Sequence, residues 1–163
     1  MNNAIHNIIQ RLAAIVLLLF LCAPLRAQEE VRIQWLSFEQ LEDSLSVNPK
    51  KVFIDFYTDW CTYCRKMDKL VFTNPKVIDQ LNEEYYAVRF NAETKASISF
   101  GGQLLVNEQL GKSRTPLHQI AQLLALRQGE FTAPTIVVLN EEFSVTSRHF
   151  EYLDSKKILQ VLQ

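Results

Sequence analysis

Along this chain the apolar positions first fall at helical spacing and then close into short unbroken runs, and that change of rhythm marks out the elements. Ser37-Phe38-Glu39-Gln40 fits a capping box, and the amphipathic stretch it opens predicts a helix to about Val47, ended by Asn48-Pro49. The run over 51–57 is apolar on both faces, as a central strand should be. A helix is predicted from Cys61 to about Phe72. Asn74-Pro75 restarts the chain into a second helix ending near Asn82, with Pro75 as a first-turn proline. Tyr85 to Asn91 reads as another strand. The first half therefore follows a β-α-β-α-β order, consistent with a right-handed parallel crossover.

The next stretch breaks that order. Ile98-Ser99-Phe100, Gly101-Gly102 and Leu104-Leu105-Val106 read as a hairpin near residues 97–107, because Gly-Gly satisfies a turn with positive φ angles. It stands as an insertion of roughly 20 residues ahead of a helix predicted to start at Thr115-Pro116 and run to about Arg127, with Gly129 as its stop. Pro134 to Leu139 is a predicted strand, Ser144 to Phe150 its hairpin partner, and Asp154 to Leu162 a closing helix. The fold class is α/β, with no internal repeat, low-complexity tract or domain linker.

The N-terminus follows a different pattern. Arg11 precedes an unbroken apolar run from Leu12 to Ala23, and Pro24-Leu25-Arg26-Ala27 follows. A basic start, a short apolar core and a small closing residue read as a secretory signal peptide over 1–27, too short to be a comfortable membrane span. Leu25 is a poorer residue three before the cut than a small one would be. A lipid anchor at Cys22 is disfavoured by the preceding Phe20-Leu21. The remaining 28–163 is one domain long enough to bury a sizeable core. Loss of Arg11 and Arg26 leaves 15 basic residues against 18 acidic ones, a net charge of −3. No basic run suggests nucleic acid or an acidic lipid surface.

Of three cysteines only Cys61 and Cys64 survive that cut. An exported chain with a single close pair is not a disulfide-stapled scaffold, since so small a loop constrains the unfolded chain very little. The pair is there to react. If a helix opens at Cys61, the first sulfur faces the positive end of a helix dipole, a setting that stabilises the thiolate required for disulfide exchange. The second, one turn on, is close enough to close a ring with it. A lone C-x-x-C also looks like half a zinc site, but the preceding strand and the acid six residues upstream of Cys61 strengthen the redox reading.

With Asp55-Phe56-Tyr57-Thr58-Asp59-Trp60-Cys61-Thr62-Tyr63-Cys64 and, 69 residues on, Ala133-Pro134-Thr135, the chain resembles the thioredoxin superfamily. Within it, Lys66-Met67-Asp68-Lys69 to Phe72-Thr73-Asn74-Pro75-Lys76-Val77 is similar to the periplasmic C-terminal domain of the transmembrane thiol:disulfide interchange reductase, and secreted thioredoxin-like proteins of Bacteroidetes-type bacteria resemble the chain too, inserted hairpin included. The likeness spans about residues 34–162. It implies a central mixed β-sheet flanked by helices, with Cys61 as the attacking sulfur and Cys64 as the resolving one. It also implies that Asp55 is the buried carboxyl managing the proton of Cys64, that Pro134 is a cis-proline packed on the disulfide, and that Ala133 pairs its backbone with a substrate strand. A carboxyl buried in an apolar strand has a raised pKa and can exchange a proton near neutrality, which suits that role. The dipeptide Thr62-Tyr63 differs from the Gly-Pro of many cytosolic relatives and contains no histidine, which leans toward a reductant or mid-potential exchanger. Glu151 falls where relatives often carry glycine, which bears on the shape of the substrate groove.

Trp60 and Tyr63 read as an apolar rim gripping partner peptides. Arg65 and Lys66 read as a solvated helix face, and His118 and His149 as surface or capping residues. The leading expectation is an exported, periplasmic, monomeric thiol:disulfide oxidoreductase that needs no cofactor or resident metal. It would act on disulfide-containing proteins and be recharged by a membrane-borne thiol reductant. Two rivals are a Cu(I)-handling module on Cys61 and Cys64 and a non-catalytic binding protein using the hairpin at 97–107.

Overall fold

The computed structural model describes residues 31–163; the expected leader over 1–27, with Cys22, lies outside them. Strand β1 (Trp35–Leu36) leads to helix α1 (Phe38–Val47), where the Ser37 hydroxyl accepts from the Gln40 N–H and Gln40 Oε1 accepts from the Ser37 N–H, closing the capping box. Strand β2 (Lys51–Tyr57), helices α2 (Thr62–Leu70) and α3 (Pro75–Glu84), and strand β3 (Tyr85–Asn91) follow. Asn74 caps α3 by accepting from the Lys76 N–H, and Pro75 takes the first turn, where its missing N–H costs nothing. The inserted hairpin is β4 (Ile98–Phe100) and β5 (Gln103–Leu105), turned by Gly101 and Gly102 at φ 61° and 70°.

After the insertion the structure corrects the expectation. Instead of a helix over 115–127 there is a short α4 (Gln119–Leu124), then a two-stranded β6 (Leu126–Arg127) and β7 (Glu130–Phe131). The segment at 115–117 is held open by the insertion: Asn107 Nδ2 donates to the Pro116 carbonyl, and Gln109 Oε1 accepts from the Leu117 N–H. Gly129 is not a helix stop but the second residue of a tight turn whose first residue, Gln128, also has positive φ (54° and 85°). Strands β8 (Thr135–Leu139) and β9 (Val145–His149) and helix α5 (Ser155–Val161, capped by Asp154) complete the chain.

The sheet runs β1-β3-β2-β8-β9, with β1 and β2 parallel to β3, and β8 antiparallel to both β2 and β9. This is the mixed sheet of a thioredoxin fold. Alternation along β2 divides the core in two. Phe53 joins Met67, Val71, Val77, Leu81, Ile136 and Ile158 on the face covered by α2, α3 and α5. Val52, Ile54 and Phe56 join Phe38, Leu41, Val88, Phe90 and Ile120 on the face covered by α1 and α4. By the same alternation Asp55 lies on the α2 side of the sheet.

Candidate functional site

The site forms where β2 ends and α2 begins. Thr58 turns the chain, its carbonyl accepting from the Cys61 N–H at 3.1 Å. Cys61 is then the N-cap of α2, with Sγ accepting from the Cys64 N–H at 3.0 Å. A sulfur placed there meets the unpaired amides of a helix N-terminus, which favour a negative charge on it. Cys61 and Cys64 form a disulfide with Cα atoms 5.3 Å apart. Exposure does not separate the two (3% and 2%); what distinguishes Cys61 is its capping position. The side chains beside them are open to solvent: Trp60 is 60% exposed and Tyr63 59%.

Each ring has a polar neighbour that the sequence does not single out. The Trp60 Nε1–H donates to both carboxylate oxygens of Glu93 at 3.1–3.2 Å, tying the rim to the loop after β3. Tyr63 lies 5.9 Å from Tyr152, over whose ring Lys66 Nζ sits at 4.7 Å. Lys66 is exposed, as expected of a solvated helix face, and its ammonium also sits over an aromatic ring. Arg65 is engaged too, donating to the Asp59 carbonyl and to Thr62 Oγ1, so it braces the turn. Glu151 is exposed and pairs with Lys157 at 3.5 Å.

Asp55 is 1% exposed, on the sheet face that α2 covers. Burial pushes its carboxyl up to about 7, and the nearby charge of Asp68 adds to the rise, while the Arg89 guanidinium opposes it. Arg89 Nε stands 3.4 Å from Asp55 Oδ2, an ion pair without hydrogen-bond geometry; neither Asp55 oxygen has a hydrogen-bond partner, nor does the buried Thr58 hydroxyl. Arg89 is a site residue that the sequence motifs do not reveal. Its signal is nonetheless present: a cation in the otherwise apolar run of β3, paired in register with Asp55.

The Ala133–Pro134 peptide bond is cis. Since Thr135 pairs with Phe56, Ala133 and the buried Pro134 lie beside the end of β2 from which the chain turns into Cys61. Of the two histidines, His149 on β9 pairs in register with Ile136. His118 is fully buried rather than superficial, and caps α4 with Nδ1 accepting from the Ile120 N–H. Among the described residues, no three or more His, Cys, Asp or Glu gather as a metal site.

Chemically, the arrangement is a disulfide that can open at a thiolate-favouring helix end, with a buried carboxyl that titrates near neutrality and an exposed aromatic rim. The family model described as a thioredoxin-like domain matches residues 38–163. A thiol:disulfide interchange protein, DsbD, of Photorhabdus laumondii is 40% identical over 48 residues, which is 29% of this chain and 8% of that protein. The chain thus spans under a tenth of such relatives. Among solved structures, a DsbH oxidoreductase superposes with TM-score 0.55 at 16% identity, covering 86% of this chain and 89% of that one. The reduced DsbD C-terminal domain of Neisseria meningitidis gives 0.50 at 18% identity, covering 75% and 87%.

Proposed function

The chain belongs to the thioredoxin-like domain family, with the cysteine pair of a thiol:disulfide oxidoreductase, and we propose that it works as an exported reductase of protein disulfides. The observation that carries the reading is the Cys61–Cys64 disulfide at the cap of α2, over a sheet face that buries Asp55. In the reduced protein the Cys61 thiolate attacks one sulfur of a partner disulfide, and the leaving sulfur departs as a thiolate that takes up a proton. Asp55 accepts the proton of Cys64. The Cys64 thiolate then attacks Cys61 Sγ, breaking the mixed disulfide and releasing a partner with two thiols. Two electrons have passed to the partner, and the Cys61–Cys64 disulfide is re-formed. A thiol donor, membrane-borne on this reading, must return those electrons.

Trp60 and Tyr63 supply the gripping rim. Ala133 and Pro134, beside the end of β2, are placed to receive an extended partner segment. The domain acts as a monomer in the periplasm, delivered by the leader over 1–27. The local match to a thiol:disulfide interchange protein supports the exchange chemistry, and the expected leader supports the location.

Cys61→Ser is expected to abolish reduction of insulin disulfides, and undiminished activity would refute the assignment. Cys64→Ser should accumulate covalent partners in the periplasm through Cys61, visible as bands that disappear on reduction. A Cu(I) role predicts instead that the reduced protein retains copper through dialysis. A pure binding role predicts that partners are still captured when both cysteines are serine.

A further inference from the structure

The insertion builds a feature that disulfide exchange does not use. Between helix α1, the β4–β5 hairpin, helix α4 and the turn joining β8 to β9 lies an open apolar groove of about 250 Å³. Phe38, Phe100, Leu105, Ile120, Leu123 and Phe143 line it, and Leu123 is nonetheless 69% exposed. The groove lies on the sheet face covered by α1 and α4, with neither cysteine in its lining. An apolar cavity of roughly 150 Å³ already admits a benzene-sized molecule, so this one has room for a single aromatic or branched side chain.

One wall is held at a local conformational cost. Phe143 has φ 58°, a left-handed backbone that glycine or asparagine adopts readily and a bulky residue does not. Asn140 fixes the turn, its N–H donating to the Ser144 carbonyl at 2.9 Å and its Oδ1 accepting from the Ser144 N–H at 2.8 Å. The ring so placed stands 5.4 Å from Phe100, which packs edge-on against Phe38 at 5.3 Å. Backbone strain of this kind clusters at binding sites. The charges around the groove have one sign. Its helices, hairpin and turn carry Glu39, Glu42, Asp43, Glu141 and Glu142, and no lysine or arginine. Glu42 accepts from the Gly101 N–H at 3.0 Å and so holds the hairpin against α1. Glu141 and Glu142 are exposed and make no ion pair among the described residues. Arg148 of β9 reaches the groove at Leu124, where the carbonyl takes up its Nε at 2.7 Å.

We propose that this groove is a second binding surface, separate from the redox site, for a partner-protein segment that presents one large apolar side chain flanked by lysine or arginine. The apolar side chain fills the cavity, and its basic neighbours face the carboxylates of α1 and of the β8–β9 turn. An apolar floor inside a rim of one sign selects partners by charge as well as by shape. Because neither cysteine borders the groove, its occupation does not depend on the exchange reading.

The test is an NMR titration of the mature protein with two synthetic peptides, one with Leu-Phe-Leu between pairs of lysines and one with glutamates in their place. The lysine peptide should shift the signals of Phe100, Leu105, Leu123 and Phe143 and leave those of Trp60 and Tyr63 in place. The glutamate peptide should bind about tenfold more weakly, the scale of a few exposed charge pairs. Glu141→Lys combined with Glu142→Lys should weaken the lysine peptide by a similar factor and strengthen the glutamate one. Leu123→Ser, at an exposed position, should weaken both by removing apolar contact. Phe143→Gly, which the turn accommodates, should weaken the lysine peptide as well. An absence of groove shifts with the lysine peptide, or equal affinity for the two peptides, overturns the proposal. So does a dimer in sedimentation that Leu123→Ser disperses, which would give the groove to a second copy of the chain. Binding of neutral phosphatidylcholine vesicles that the same variant abolishes would give it to a lipid surface and equally overturn it. Should the charge-reversed turn fail to fold, salt decides in its place: affinity for the lysine peptide should fall several-fold on going to high ionic strength, and an unmoved affinity is the refutation.

Discussion

A carboxyl raised from 3.8 to about 7 by burial is a stability cost as well as a chemical asset. Because the folded state holds a proton that the unfolded chain has already released, stability is greatest below the unfolded value. It falls as pH rises from about 4 to 7 and is flat above, by a total of about 4 kcal/mol at 1.36 kcal/mol per unit. Asp55→Asn removes the titration, and part of the gain is offset because Arg89 loses a charged neighbour. The variant is therefore expected to be more stable than wild type by about 2–3 kcal/mol at pH 8.5, with the difference fading toward pH 5. Urea melts at the two pH values check this, and a variant less stable at pH 8.5 would contradict it. The same substitution should slow insulin reduction at neutral pH, by the 10²–10⁴-fold range typical of a lost proton-transfer group at most. On the proposed role of Asp55, stability and exchange pull in opposite directions at one residue.

Elements whose signals are local are readable from the chain. The Ser37-Gln40 box, the Asn74-Pro75 restart and the Gly101-Gly102 turn each carry their cause within four residues, and each stands where the pattern places it. The helix expected over 115–127 does not form because its fate is decided from a distance, by Asn107 and Gln109 of the insertion. The active-site pair is legible for the same local reason, whereas Arg89, Asp68, Glu93 and Tyr152 join the site only through sheet register and helix packing. Strand β1 is two residues long and lies below what periodicity can register. His118 shows how one residue can knit a long-range element together. Its Nδ1 caps α4, its Nε2 is 3.2 Å from the Leu105 carbonyl at the end of the hairpin, and its ring meets Phe90 edge-on. Burial holds its pKa below the ordinary 6.5, so the folded state binds protons less readily than the unfolded chain. Its contribution is full above that value and lost as pH falls through it. His118→Ala should cost about 2–3 kcal/mol at pH 7.5, from a lost cap and a buried contact, and less at pH 5. A cost that grows on acidification would contradict the assignment.

At the scale of the molecule, a parallel pair of strands crossing through α2 and α3 delivers a cysteine-capped helix to one end of the sheet, and the antiparallel β8 returns Pro134 to the same end. Both sheet faces carry apolar clusters, with the charged Asp55 and Arg89 set among them on the α2 side. The inserted hairpin packs on the opposite face, where Phe100 meets Phe38 and Phe143. The direction of electron flow then depends on the couple itself. A helix cap with the uncharged Thr62-Tyr63 between its cysteines, and no histidine to stabilise the thiolate further, favours a donor of electrons. The measurement that bears most directly on this is the fraction of free Cys61 and Cys64 thiols across a series of defined thiol–disulfide redox buffers. A single two-electron transition with a midpoint between about −200 and −270 mV is predicted, within the span of glutaredoxins and thioredoxin. A midpoint near −120 mV, or a disulfide that dithiothreitol leaves closed in the folded protein, would contradict the account.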